Sequence, residues 1–386
     1  MEAYLDNAAT TKVFDSVKDI MIETFTSHFG NPSSMHQLGV DAEKYIKDAK
    51  ELIAKSLKVD AKEIVFTSGG TESNNLALIG AALANKRSGN HIITTKIEHP
   101  SVHNPLFYLE ENGFRVTYLS VDKMGQVRMD ELLDAICQDT ILVSIMYVNN
   151  ELGSVQAISE IGRRIKENNS NTIFHVDGIQ AYGKYQIYPR RENIDMLSIS
   201  GHKIHGPKGI GVLYIKDKLK IKPIIHGGGQ QKGMRSGTEN VPGIAGIGQA
   251  VKEIYSNHEE KKDHLYECKE TFIELIKDME GVSINGVGDS IYDTAPHILS
   301  VSFQGIKSEV LLHALEDKGV YVSSGSACAS NHPSLSGTLK AIELDEKLLD
   351  STIRFSFSCF TTIEEIKYAV HCLKEIIPML RRYTRH

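Results

Sequence analysis

Lys203 lies in the stretch Ser198–Gly211, Ser-Ile-Ser-Gly-His-Lys-Ile-His-Gly-Pro-Lys-Gly-Ile-Gly, between the apolar runs 196–199 and 212–215. An amine among small, hydrogen-bonding residues beside apolar runs can be desolvated. Desolvation favours the neutral form, which can attack a carbonyl and form a Schiff base. Alone, the stretch reads as a hairpin loop with a surface lysine, so other positions must decide. Cys328 stands in Ser323-Ser-Gly-Ser-Ala-Cys-Ala-Ser330, where its neighbours are small rather than apolar. That suits a reactive thiol on a mobile loop better than a core cysteine. Asp177, in His175-Val-Asp-Gly-Ile-Gln180, ends an apolar run. A carboxylate there can keep a heteroaromatic nitrogen protonated, making the ring an electron sink, or it can cap a helix. Arg354 alternates with apolar residues in Ile353-Arg-Phe-Ser-Phe-Ser358. Its guanidinium suits a bidentate carboxylate clamp, set against a strand-edge arginine without a ligand.

Further loops carry weaker signals. Thr67-Ser-Gly-Gly-Thr-Glu-Ser-Asn-Asn75 joins a strand to a helix, so Gly70 and Thr71 would offer amides to a phosphate at the helix N-terminus. Capping by Ser68 or Thr71 explains the same residues. It lacks the Gly-Lys-Ser/Thr of a Walker loop, and Gly206–Gly211 precedes a strand, unlike a Rossmann fingerprint. His99 and His103 lie four apart and could share a metal, but no third ligand accompanies them; a proton shuttle or ring-stacking role suits His99 better. Asn150 follows the most apolar strand and could orient an oxygen, although Asn-Asn is also a turn signal. Gly227–Asn240, with its glycines and Ser-Gly-Thr238, suits an anion nest.

These residues need elements to hold them. Residues 13–28 read as a helix, and a second has Ala42, Tyr45, Ile46, Ala49, Leu52 and Ile53 on one face. From residue 64 the pattern alternates. Segments 64–67, 92–95, 116–119, 141–148, 173–176, 196–199 and 212–215 read as strands, with helical segments 76–84, 106–111, 129–137 and 158–168 between them. This predicts an α/β fold with a mostly parallel sheet covered by helices on both faces. Ligands sit at the carboxyl ends of such strands, and the chemistry-bearing loops follow strands. The glycine-rich stretch 227–248 reads as mobile, and a helical region to about residue 279 as a bridge to a smaller α+β unit. That unit has strands at 297–303, 321–322 and 353–357 and helices at 309–317 and 364–380.

Bulk properties narrow the class. A chain of 386 residues exceeds one ordinary core and suggests roughly two domains. A net charge of −6 without a long basic run argues against direct nucleic-acid binding. The five cysteines are odd in number, widely spaced and free of any Cys-x-x-Cys. That argues against a disulfide framework or a thiolate zinc site and for a reducing, cytoplasmic setting. The N-terminus lacks a signal-peptide pattern, and no apolar stretch is long enough to span a membrane.

Taken together, the loops resemble the cysteine desulfurases, the NifS/IscS-like branch of the class V aminotransferase family, which use pyridoxal 5′-phosphate (PLP). The resemblance runs from Tyr4-Leu-Asp-Asn-Ala-Ala-Thr-Thr11 to Ile353-Arg-Phe-Ser356. It implies PLP-dependent transferase fold type I: a large domain (15–255) with a seven-stranded, mostly parallel sheet, and a small domain (1–14 and 256–386) bearing the mobile cysteine loop. It further implies that Lys203 holds PLP and acts as base at the substrate Cα. Asp177 would pair with the ring nitrogen, His99 stack on the ring and shuttle protons, and Gln180 contact the ring hydroxyl. Gly70, Thr71, Ser200 and His202 would bind the phosphate, with Thr238 adding a contact across a homodimer. Asn150 and Arg354 would hold the carboxylate of L-cysteine. Cys328 would take the sulfur as a persulfide and pass it to an acceptor protein, an iron–sulfur scaffold or a tRNA-thiolation protein. No resident metal is implied, although Cys328 could transiently ligate an iron–sulfur cluster. Two departures leave the acceptor open: Gly337 stands where many relatives carry a larger residue, and the chain stops at His386, short of relatives with a longer tail. The alternatives are a selenocysteine lyase or another class V PLP aminotransferase and, in a different class, a cofactor-free Cys–His hydrolase or sulfur carrier. A transaminase has no need of Cys328.

Overall fold

The computed structural model describes residues 1–324 and 335–383. The chain starts with the two-residue strand β1 (Ala3–Tyr4) and helices α1 (Asp15–Thr26) and α2 (Gln37–Leu57). The strands of the main sheet are β2 (Ile64–Thr67), β3 (His91–Thr95), β4 (Arg115–Leu119), β5 (Thr140–Met146), β6 (Ile173–Asp177), β7 (Met196–Ser200) and β8 (Gly211–Ile215). Helices α3 (Gly70–Asn85), α4 (Pro100–Glu111), α5 (Met129–Ala135) and α6 (Ile158–Asn168) alternate with them. The strand order is β2-β8-β7-β6-β5-β3-β4. Neighbours from β7 to β4 are parallel, while β8 runs antiparallel to both β7 and β2. β2 therefore shares the direction of β7, and β2, β3, β5, β6 and β7 all end at one edge.

Sequence explains the layering. All seven residues of β5 are buried, as in a strand covered on both faces. α6 buries Ile158, Ile161, Gly162 and Ile165 at helical spacing and turns the ion-paired Arg163 and Glu167 outward.

α7 (Val241–Tyr255) and α8 (His258–Ile276) lead into the smaller unit. There β9 (Val282–Asn285), β10 (Ile298–Phe303), β12 (Ser323–Ser324) and β13 (Thr352–Ser356) form an antiparallel sheet in the order β12-β13-β10-β9, and β11 (Val320–Tyr321) pairs with β1. α9 (Ser308–Glu316), α10 (Gly337–Ala341), α11 (Glu346–Leu349) and α12 (Ile363–Tyr383) complete it. Its core is separate from that of the main sheet and includes Leu299, Phe303, Leu311 and Leu373. Phe272 and Phe355 meet there with ring centroids 4.5 Å apart, a contact that contributes about 0.5–1.5 kcal/mol beyond its buried area.

Three expectations need correction. The stretch read as mobile to residue 248 is helical from Val241, capped by the Asn240 side chain, which accepts from the Gly243 amide. Its glycines are packing positions: a Cβ on Gly248 would lie 2.8 Å from the Ala49 Cβ of α2. The helical bridge is broken before α8, where Asn257 takes the left-handed φ of 50°. β9 was not predicted, because four residues at a sheet edge give too short an alternation to stand out.

The first residues run between the two sheets. Asn7 Nδ2 donates to the Ser356 carbonyl at 3.0 Å, the Ala8 amide donates to Ser356 Oγ at 2.8 Å, and the Thr11 amide donates to the His202 carbonyl at 2.9 Å.

Candidate active site

Five strands that end at one edge deliver their following loops to a cavity of about 500 Å³. β2 supplies Gly70 and Thr71, β3 supplies His99, β5 supplies Asn150, β6 supplies Asp177 and Gln180, and β7 supplies Ser200, His202 and Lys203; β13 adds Arg354. Two residues chosen from the sequence are not in this lining. Thr238 lines a separate pocket of about 210 Å³ beside Gln231 and Arg235. Cys328 lies outside the described residues.

Asp177 is buried at the end of β6. Its Oδ2 accepts from Asn74 Nδ2 at 2.8 Å and its Oδ1 from the Ile179 amide at 3.0 Å. Burial pushes its pKa up, while those two bonds and the positive charge of Lys203 pull the other way. His99 caps α4: the Ser101 amide donates to its Nδ1 at 3.1 Å. Nδ1 is therefore the acceptor, and in the neutral ring Nε2 carries the proton. Burial lowers the His99 pKa, which favours the neutral ring. Gln180 Nε2 donates to the Ala8 carbonyl at 2.9 Å, and its Oε1 lies 3.2 Å from His297 Nε2. Lys203 Nζ donates to the Ala8 and Ala9 carbonyls, each at 2.6 Å.

One end of the cavity is built for an anion. The N-cap of α3 is Gly69, which has no side chain to satisfy the first amides of the helix. Ser200 Oγ is buried and has no hydrogen-bond partner among the described residues. A Cβ on Gly70 would lie 2.3 Å from Ile179 Cδ1, so a larger residue here would have to displace the Ile179 side chain that lines the cavity. His202 is held neutral, its pKa lowered to about 4 by burial and then by Lys203 and other lysines. An uncapped helix start and an orphaned hydroxyl at one end, a buried carboxylate and a lysine amine further in: these donors and acceptors fit PLP.

On the cavity wall, Arg354 Nη1 donates to the Asn150 carbonyl at 2.8 Å and Nη2 to Asp6 Oδ1 at 3.0 Å, while its Nε is buried without a partner among the described residues. Glu151, next to Asn150, accepts from Ser336 Oγ at 2.5 Å and Thr338 Oγ1 at 3.2 Å. This ties the Asn150 side of the cavity to α10.

Sequence reasoning missed Asn74, Ser101, Asp6 and Glu98 as site residues. Asn74 bridges Ser101 Oγ, at 2.9 Å, and Asp177. Glu98 Oε1 accepts from Thr95 Oγ1 at 2.8 Å and the Met146 amide at 2.9 Å, and burial pushes its carboxyl up to about 8, so it is mostly neutral at neutral pH. The available signal for Asn74 was a polar pair, Ser73-Asn74, at the start of an otherwise apolar helix face. His103, paired with His99 as a candidate metal ligand, instead stacks against Phe107 and Tyr118.

The aminotransferase class-V family profile matches residues 3–369. The putative cysteine desulfurase IscS 1 of Bacillus subtilis (strain 168) is 43% identical over 378 residues, which is 98% of this chain and 99% of the relative. A cysteine desulfurase of Nostoc sp. is 44% identical over 98% of this chain and 93% of the relative. Among solved structures, a NifS-like protein superposes with a TM-score of 0.93 at 37% identity, covering 98% of this chain and all of that one. SspA in complex with cysteine superposes at 0.81 and 37% identity, covering 93% of this chain and all of that one.

Proposed function

We propose residue roles from the premise that this chain belongs to the aminotransferase class-V family and, within it, to the PLP-dependent cysteine desulfurases. Its reaction is the removal of sulfur from L-cysteine. When bound, PLP supplies an electron-accepting ring that stabilises negative charge at the substrate Cα.

The chain's own residues do the rest. Asp177, steadied by Asn74 and the Ile179 amide, keeps the ring nitrogen protonated. The α3 amides at Gly70 and Thr71, with Ser200 Oγ and His202, hold the phosphate; Thr238 of the partner subunit adds to them in a homodimer. Gln180 orients the ring hydroxyl. Arg354 and Asn150 bind the substrate carboxylate, which gives the unpartnered Arg354 Nε an acceptor. Lys203 Nζ removes the Cα proton, and neutral His99 carries a proton from Nε2.

Cys328 attacks as thiolate. A sulfur–sulfur bond forms, the Cβ–sulfur bond breaks, and its electron pair goes to carbon. Protonation at carbon gives L-alanine and leaves Cys328 as the persulfide. An acceptor protein for iron–sulfur assembly or tRNA thiolation then takes the outer sulfur. The protein acts in the cytoplasm, a reading supported by the free thiols Cys137, Cys268, Cys359 and Cys372. We place the domain division at 15–255 against 1–14 with 256–386, supported by the separate core around Phe272.

The observation that carries this reading is one cavity where the edge of the main sheet brings Lys203, Asp177 and Ser200 to face Arg354 of β13. The test is Cys328→Ser. It should keep PLP binding and visible absorption yet lose sulfide and alanine production from L-cysteine; a variant that still produces both would reject the persulfide route.

A further inference from the structure

A second lysine lies behind Lys203, in a narrow crevice on the far side of the N-terminal stretch. Lys184 is 7% exposed, and its Nζ donates to the Lys203 carbonyl oxygen at 2.5 Å. Local sequence fixes it there. Gly183 turns the chain with φ +82°, where an added Cβ would also come within 2.8 Å of Ile204 Cγ2. The Lys184 amide then donates to the Ala181 carbonyl at 2.9 Å. This turn continues directly from Asp177 and Gln180, so it joins the acid at the end of β6 to the backbone of Lys203.

The electrical setting is unusual. The titratable groups lining the crevice beside Lys184 are His205, Lys261, Lys262, His297 and Cys359, and no carboxylate among the described residues lines it. Burial lowers the Lys184 pKa to about 7, and the positive charge of Lys203 adds to the effect. The same crowding helps hold His205 and His297 neutral. A buried ammonium without a counter-ion is costly. Support of a carbonyl alone needs only a neutral donor.

We propose that Lys184 is a positioning residue for Lys203: it fixes the Lys203 backbone through the carbonyl and, while protonated, sets a second positive charge against that backbone, so that the Lys203 nitrogen resists protonation. The inference rests on Lys203 being the PLP lysine. A base that must remove the Cα proton has to be neutral when it acts, and a neighbouring cation is one route to a neutral lysine. The effect is mutual, since each charge disfavours the other.

The test uses the holoenzyme. The visible absorption of wild type, Lys184→Gln and Lys184→Met is titrated across the acidic and neutral range, where Lys184 carries its charge; it reports protonation of the nitrogen that links Lys203 to PLP. Removing the charge should raise the midpoint by about one pH unit, roughly tenfold in proton affinity. Lys184→Gln keeps a hydrogen-bond donor without the charge, so its midpoint decides; it stands alone should Lys184→Met not fold. A midpoint that is unmoved or lowered in Lys184→Gln overturns the proposal. Borohydride reduction of wild type followed by peptide mapping tests the underlying reading separately. Label missing from Lys203 would sink that reading, whereas label on Lys203 with an unmoved midpoint sinks only the role of Lys184.

Discussion

Replacing Asn74 with Ala removes one of the two hydrogen bonds that the described residues give the Asp177 carboxylate. The lost donor is fully buried, so no water takes its place at once. A hydrogen bond to a charged group contributes about 1.5–3 kcal/mol, which corresponds to roughly 10- to 150-fold in rate where the anion is needed in the transition state. The pH dependence has a definite sign. The Asn74 bond lowers the Asp177 pKa against the upward push of burial, so its loss raises that pKa. Protonated Asp177 cannot hold the ring proton, so activity fails from the acid side first. For Asn74→Ala, kcat/KM for L-cysteine should fall about 10- to 100-fold, and the acid limb of its pH profile should move to higher pH. Steady-state alanine formation across pH, with the visible spectrum confirming PLP content, measures both. Full kcat/KM with an unmoved acid limb would refute the view that Asn74 sustains the charge on Asp177.

Two further outcomes follow from the geometry. Arg354→Lys loses the planar fork that spans Asp6 and Asn150, so KM for L-cysteine should rise about tenfold or more with a smaller change in kcat; a KM within about twofold of wild type would remove Arg354 from carboxylate binding. Lys269 is fully buried against Thr294 and Ala295, and burial lowers its pKa from 10.5 to about 7. Between those values the unfolded chain binds more protons than the folded one, so Lys269 makes stability rise with pH over that window and adds no slope below it. In urea unfolding at about pH 7.5 and about pH 9, the stability difference should shift in favour of wild type over Lys269→Met, by up to about 1.4 kcal/mol per pH unit; a constant difference would show that Lys269 stays protonated in the fold.

What the sequence revealed was set by local pattern. Gly70, Thr71, His99, Asn150, Asp177 and Ser200 each end or follow a strand, and the fold brings them to one edge. Residues whose importance comes from a distant partner left no such trace. Asn74 meets Asp177 across 103 positions and Asp6 meets Arg354 across 348, separations that no periodicity encodes. Lys184 was equally silent, since a lysine after glycine reads as a surface turn until the Lys203 carbonyl is seen above it. The α7 glycines misled for a physical reason: glycine weakens an isolated helix, but in this one it allows close contact with α2.

The path of the first residues bears on how this protein is made. Asp6 and Ala8 are synthesised well before β13, yet they bond to its residues. The main sheet, with Lys203 and the anion-binding end of the cavity, draws on residues 64–215 and can form much sooner. A nascent chain halted before β13 would therefore present the proposed place for the cofactor phosphate without the arginine proposed to receive substrate. Competence for the reaction arrives only when β13 closes back on Asp6 and Ala8.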